Sequence, residues 1–139
     1  MIVSGKLITC KREVKEFRGR KGDEALYLTL AEVDLSKKKL EKLKEAFKDA
    51  GDKFTPEWVK DFTGYVNVKT KYPLPCKDLD GEAHDSIEDF VKSFAWIGAE
   101  CQLSLNIKDG AVYPNALIFK KEGKPFNPFA EFDNVEEED

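Results

Sequence analysis

Three stretches of this chain alternate apolar and polar residues with a period of two, and that pattern leaves few folds open. In EALYLTLAEV, Leu26, Leu28 and Leu30 share one face while Tyr27 and Thr29 share the other. In FTGYVNVKTK, Phe62, Gly64, Val66 and Val68 alternate with Thr63, Tyr65, Asn67, Lys69 and Lys71. In AECQLSLNI, Ala99, Cys101, Leu103, Leu105 and Ile107 alternate with Glu100, Gln102, Ser104 and Asn106. Side chains of an extended strand point alternately to opposite faces, so each stretch predicts a strand with one apolar and one polar face. Such strands belong to antiparallel sheets with one face in water.

Two further strands complete the set. IVSGKLITC is less regular, with Gly5 as a candidate bulge. AVYPNALIF is joined to the preceding strand by KDG, a tight hairpin signal. Between the strands lie two helical patterns. SKKKLEKLKEAFKDAG has Ser36 as N-cap, Leu40, Leu43, Phe47 and Ala50 at helical spacing, and Gly51 as its stop. DSIEDFVKSFAWIG carries Ile87, Phe90, Val91 and Phe94 on one face. Taking the first helix as an insertion after the second strand leaves five strands, with a short helix between the third and fourth. That is the order of an OB-fold, a five-stranded Greek-key barrel that binds oligonucleotides and oligosaccharides, with an all-β sandwich and a plain α+β fold as the alternatives. The expected fold is mainly β with inserted helices, α+β by content, as one domain over residues 1–124. The inserted helix, 36–50, is a candidate either to dock on the barrel or to make a homodimer contact.

Charge separates the remainder of the chain from this domain. Residues 131–139 hold six carboxylates and no base, so residues 1–130 carry +2 although the whole chain carries −4. Pro125 and Pro128 precede the run and oppose a terminal helix or central strand. A segment so acidic cannot bury enough apolar surface to fold alone, and residues 125–139 are expected to form a disordered tail. Phe126 and Phe129, nearest to the last strand, are expected to close the edge of the core. At the other end, residues 1–22 hold seven bases (Lys6, Lys11, Arg12, Lys15, Arg18, Arg20, Lys21) against Glu13 and Glu16. A basic region and an acidic tail on one chain point to an anionic partner for whose surface the tail competes. No apolar run approaches the roughly 18 residues of a membrane helix, and no signal-peptide core is present. Cys10, Cys76 and Cys101 lack CxxC spacing and read as reduced thiols in a cytoplasm.

Catalytic residues are scarce. The single histidine, His84, stands in DLDGEAHDS, which reads as an exposed acidic loop ending in a helix cap. Asp78, Asp80 and Glu82 alternate there, but Gly81 is misplaced for a calcium loop and no glutamate falls at the twelfth position. A divalent-metal nuclease site built from Asp78, Asp80, Glu82 and His84 is the weaker alternative. No catalytic residue, metal or cofactor is expected.

A binding surface is better marked. Tyr27 lies on the polar face of the second strand, and Tyr65, Lys69 and Lys71 on that of the third. The loop VKEFRGRKGDE between the first two strands supplies Lys15, Phe17, Arg18, Arg20 and Lys21. In an OB-fold these strands and this loop form the ligand face. Any base stacks on a ring at about 1–3 kcal/mol, while cations neutralise phosphates, so the set suits single-stranded nucleic acid, DNA or RNA. A protein-interaction module without nucleic-acid binding is the alternative from another class.

The strand order, the basic loop FRGRKG, the late pair IGAECQLSLNIKDGAVYPNALIF and the acidic tail together resemble the OB-fold single-stranded DNA-binding proteins that bacteriophages encode for replication and recombination. The late pair is similar to that family's closing hairpin, in which a glycine opens the fourth strand and an aromatic begins the fifth. The resemblance implies binding and protection of single-stranded DNA in the cytoplasm of a bacterial host cell. It also implies a tail that shields the DNA groove and recruits replication or recombination proteins, here through Phe132, Glu136, Glu137, Glu138 and Asp139. The family's tails commonly finish in an aromatic residue, whereas the final aromatic here is Phe132 and the final residue Asp139.

Overall fold

The computed structural model describes residues 1–48, 55–91, 96–108 and 110–123, with Phe17 described by its backbone alone. Among these residues seven strands form one sheet: β1 (Ile2–Phe17), β2 (Arg20–Ala31), β3 (Val66–Thr70), β4 (Cys76–Lys77), β5 (Ala83–His84), β6 (Ala99–Lys108) and β7 (Ala111–Lys121). Their order across the sheet is β3-β2-β1-β6-β7-β4-β5. Every pairing is antiparallel except that of β4 with β7. The helices are α1 (Lys37–Phe47), α2 (Glu57–Lys60) and α3 (Ile87–Val91).

The period-2 residues build the core as their spacing requires. Leu26, Leu28 and Leu30 of β2, Val66 and Val68 of β3, and Ala99, Cys101, Leu103 and Leu105 of β6 are all buried. Removing a leucine side chain from water stabilises by about 1.5–3 kcal/mol, so β2 alone anchors the sheet strongly. Helices close the apolar face: Leu43 and Phe47 from α1, Trp58 and Val59 from α2, and Ile87 from α3 are buried against it. Ser36 caps α1, its Oγ accepting from the Lys39 N–H at 3.2 Å. Gly51, predicted to stop this helix, and Phe94, predicted to extend α3, lie outside the described residues. So does the whole predicted tail, with Phe126, Phe129 and Phe132. No helix among the described residues is long and apolar enough to cross a membrane.

Four sequence expectations need correction. The first strand is irregular because of a bulge at Ile8, between the pairs Leu7↔Leu30 and Thr9↔Thr29, and not at Gly5. The extra residue reverses the phase: Val3 and Leu7 face the core before it, Cys10 and Arg12 after it. Gly5 answers to a different need, since a Cβ there would lie 2.9 Å from the Ala31 carbonyl oxygen and 2.9 Å from Val33 Cγ2.

The expected loop between the first two strands is instead a hairpin arm. β1 runs to Phe17, β2 starts at Arg20, and only Arg18 and Gly19 turn between them. Both take positive φ, 52° and 75°, the pattern of a type I′ turn matched to strand twist. His84, expected in an exposed loop, is half-buried in β5, opposite Cys76.

Finally, the sheet is an open one of seven strands and not a closed five-stranded barrel. Its five long strands do follow the order β3-β2-β1-β6-β7, and β3 approaches β7 to within 8 Å between Cα atoms. Yet no ladder joins them among the described residues. Leu105 commits both main-chain groups to Met1, donating at 2.7 Å and accepting from the N-terminal ammonium at 3.0 Å. Its opposite number, Pro114, therefore sits in a pair without ladder bonds, its nitrogen turned to the outer edge. Proline has no N–H to offer there. Further along, β4 occupies the same edge of β7 at Leu117 and Ile118.

Candidate nucleic-acid interface

Strand register carries the predicted residues onto one face. Tyr27 of β2 lies opposite Lys11 of β1 on one side and Lys69 of β3 on the other. By alternation Asp23 and Ala25 share the face of Tyr27, Lys15 that of Lys11, and Lys71 that of Lys69. All of these except Lys11 line a groove of about 630 Å³, together with Tyr72 and Tyr113. A second groove of about 540 Å³ continues from it past Pro73, Asn106 and Lys108. Thr70, Tyr72 and Tyr113 line both, so the two form one cleft along the gap where β3 and β7 fail to pair.

Inside the cleft the side chains engage one another. The Lys15 ammonium stands 4.1 Å above the Tyr27 ring centroid. Lys71 Nζ donates to Asp23 Oδ2 at 2.6 Å, a hydrogen bond that pushes the lysine pKa up and the aspartate pKa down. A bulge between Val14↔Glu24 and Glu16↔Lys21 sets Lys15 against both Gly22 and Asp23. Bulges re-aim side chains in this way beside binding sites. Along the same face, Thr29 Oγ1 donates to Asn67 Oδ1 at 2.6 Å.

Of the predicted nucleic-acid residues, the groove brings together Lys15, Tyr27, Lys69 and Lys71. Tyr65 is 48% exposed but precedes β3 and does not line the cleft. Arg18, Arg20 and Lys21 occupy the exposed tip of the arm. The side chain of Phe17 and the tail residues Phe132, Glu136, Glu137, Glu138 and Asp139 lie outside the described residues. Sequence reasoning missed Tyr72, 78% exposed, Tyr113, 47% exposed, and Lys108. A signal for the tyrosines was available: each precedes a proline, at Pro73 and Pro114. A residue before proline is held extended, and a proline marks an edge that does not pair.

Part of the N-terminal basic charge serves the fold. Arg12 lies on the inner face and grips Glu88 of α3 through Nε at 2.9 and 3.0 Å and Nη2 at 2.7 Å. That contact raises the Arg12 pKa and ties the arm to the helix. Lys6 pairs with Glu32 at 2.7 Å.

The candidate metal cluster is organised as a loop clasp. Asp78 Oδ1 accepts from the N–H groups of Asp80 and Glu82 at 2.9 and 3.0 Å, and Oδ2 lies 2.9 Å from His84 Nε2. The histidine contact, chiefly, lowers the Asp78 pKa. His84 also stacks on Phe90, with ring centroids 4.8 Å apart. Among the described residues, no three His, Cys, Asp or Glu side chains are grouped to hold a metal ion. Burial pushes the thiols up, to about 12 for Cys10 and Cys101 and about 11 for Cys76.

No family model matches the chain, and no curated protein matches it in sequence. Among solved structures it is similar to the single-stranded DNA-binding protein from bacteriophage Enc34 in complex with single-stranded DNA. That alignment has 10% identity over 91% of this chain and 89% of the other, with a TM-score of 0.47. A second structure of the Enc34 protein aligns at 12% identity over 99% of this chain and 90% of the other, with a TM-score of 0.44. Both are structures of a bacteriophage single-stranded DNA-binding protein.

Proposed function

We propose that this chain binds single-stranded DNA along the cleft, without strong sequence preference, and protects it. The observation that carries the reading is the juxtaposition of Tyr27, Tyr72 and Tyr113 with Lys15, Lys69, Lys71 and Lys108 in one continuous channel. Rings offer stacking surface to any base, and lysines neutralise the intervening phosphates. Paired bases inside a duplex are unavailable for such stacking, so the cleft discriminates by strandedness. Its chemistry is binding and not catalysis.

The resemblance read from the sequence extends the proposal to phage DNA replication or recombination in the cytoplasm of a bacterial host. The acidic segment 131–139 then competes for the cleft's lysines and presents Phe132 and residues 136–139 to replication or recombination proteins. Helix α1 docks on the sheet through Leu43 and Phe47, and a homodimer contact would use its outer face.

A fluorescence-anisotropy titration with a labelled oligonucleotide, single-stranded and then as a duplex of equal length, tests the reading. Tighter binding of the single strand is expected. Equal affinity for both forms refutes stacking as the basis of binding. A parallel gel with magnesium reads cleavage, and cleaved product would replace the binding protein with a nuclease.

A further inference from the structure

Two contacts in the cleft occupy groups that a polyanionic ligand needs. Lys71 Nζ is held by Asp23 Oδ2 at 2.6 Å, and the Lys15 ammonium covers the Tyr27 ring at 4.1 Å. Asp23 and Lys15 both come from the hairpin arm, at the bulge where they face each other. Lys71 comes from the neighbouring strand, just beyond Thr70, where the β2–β3 ladder ends at Leu26↔Thr70. The ion pair thus links β2 to the chain leaving β3, on one wall of the cleft, beyond the last ladder pair. Among the described residues, Asp23 is also the one carboxylate that lines this groove. A carboxylate oxygen bonded to an ammonium has the charge and acceptor character of a phosphodiester oxygen.

Building on the single-strand reading, we infer that Asp23 is an internal phosphate surrogate. It marks the position of a backbone phosphate, holds Lys71 until one arrives, and thereby lowers both the affinity and the salt dependence of binding. Lys15 on Tyr27 marks the adjoining base position in the same way. When Lys71 turns to a phosphate, the nucleic acid releases a counterion while the abandoned Asp23 takes one up. The two exchanges cancel, and Lys71 contributes little to the salt slope. With Asp23 neutralised, the release stands alone and adds about −0.7 to the slope for a single strand. The pair is exposed, at 64% and 74%, so solvent screens it and breaking it costs little. The effect on affinity is accordingly modest, about two- to five-fold at low salt.

The test compares the full chain with Asp23→Asn, Lys71→Gln, the double variant and Asp80→Asn. Asp80 is exposed beyond β4 and away from the cleft, so its variant removes equal charge without touching Lys71. Labelled oligothymidylate is titrated from low to physiological salt. Asp23→Asn is expected to bind about two- to five-fold tighter at low salt, with a slope steeper by about 0.7, while Asp80→Asn leaves the slope unchanged. On the Lys71→Gln background, Asp23→Asn is expected to change nothing. Equal gains from Asp23→Asn and Asp80→Asn, or a gain that persists without Lys71, overturn the surrogate and leave single-strand binding intact. Absence of binding by every protein overturns the single-strand reading and the inference with it.

Discussion

Replacing Tyr72 with alanine isolates stacking from everything else the cleft does. The side chain is 78% exposed, and the residue is held locally through its N–H to Thr70 Oγ1 at 3.2 Å, which alanine retains. β3 ends at Thr70, so no ladder bond depends on the ring. Thermal stability should therefore shift by no more than about 0.5 kcal/mol, as for an ordinary surface site. Binding should respond very differently. Tyr72 stands where the two grooves meet, so a strand following the cleft passes its ring. A base stacked on an aromatic side chain is worth about 1–3 kcal/mol by alanine substitution, which corresponds to roughly 5- to 150-fold weaker binding. No charge is lost, so the salt slope should stay that of the parent. Lys69→Gln is the complement: it should flatten the slope by about 0.7 per phosphate contact removed. Tyr72→Phe keeps the ring and should bind like the parent. Anisotropy titrations at several salt concentrations, beside a thermal melt of each variant, separate these outcomes. If Tyr72→Ala binds as tightly as the parent, the cleft is not the path of the bases. If Tyr72→Phe loses as much as alanine, the hydroxyl and not stacking carries the contact.

Three other consequences concern the fold. Gly5→Ala should destabilise by about 1–3 kcal/mol, because the new methyl meets the Ala31 carbonyl and the branched Val33 side chain, both at 2.9 Å; urea unfolding reads this, and a parent-like midpoint would mean that β1 and β2 separate freely. Cys10, Cys76 and Cys101, with thiols raised by burial to about 12, about 11 and about 12, should react slowly with iodoacetamide at pH 8 and rapidly once unfolded. Fast native labelling of any of them would contradict its burial. Because the folded Asp78 pKa is lowered, chiefly by His84, its contribution to stability is present above the unfolded carboxylate pKa of about 3.9 and is lost as pH falls through the lowered value. The stability gap between parent and Asp78→Asn should thus be widest near neutrality and close in acid, and a gap that persists in acid would assign the effect to shape instead of charge.

Much of the sheet was legible because the buried stretches of β2 and β6 obey one rule. Leu26, Leu28 and Leu30 and their counterparts at Leu103 and Leu105 stay in phase. β1 does not, and one inserted residue at Ile8 explains why: a bulge moves each later side chain to the opposite face, so no single period fits the strand. The arm escaped because an Arg-Gly turn lacks the Asn-Gly or Asp-Gly pair that usually supplies two positive φ values. β4 and β5 are two residues each, too short to carry any period. Helix α2 is a single turn after Pro56, and its burial of Trp58 and Val59 comes from tertiary packing and not from a local pattern.

The face of the site was legible in the same way, and its centre was not. Alternation alone puts Tyr27, Lys69 and Lys71 on one polar surface. It says nothing of what crosses the gap to meet them, because Tyr113 comes from β7, four strands from β3 and three from β2 in the sheet order. β7 nonetheless comes within 8 Å of β3 between Cα atoms, and Pro114 has no N–H to offer across that edge. Proline withholds the donor and leaves Tyr72 and Tyr113 standing on either side of an open channel. One Tyr-Pro pair follows the end of β3 and the other lies on the edge of β7 that has no ladder to β3, and the candidate site lies between them.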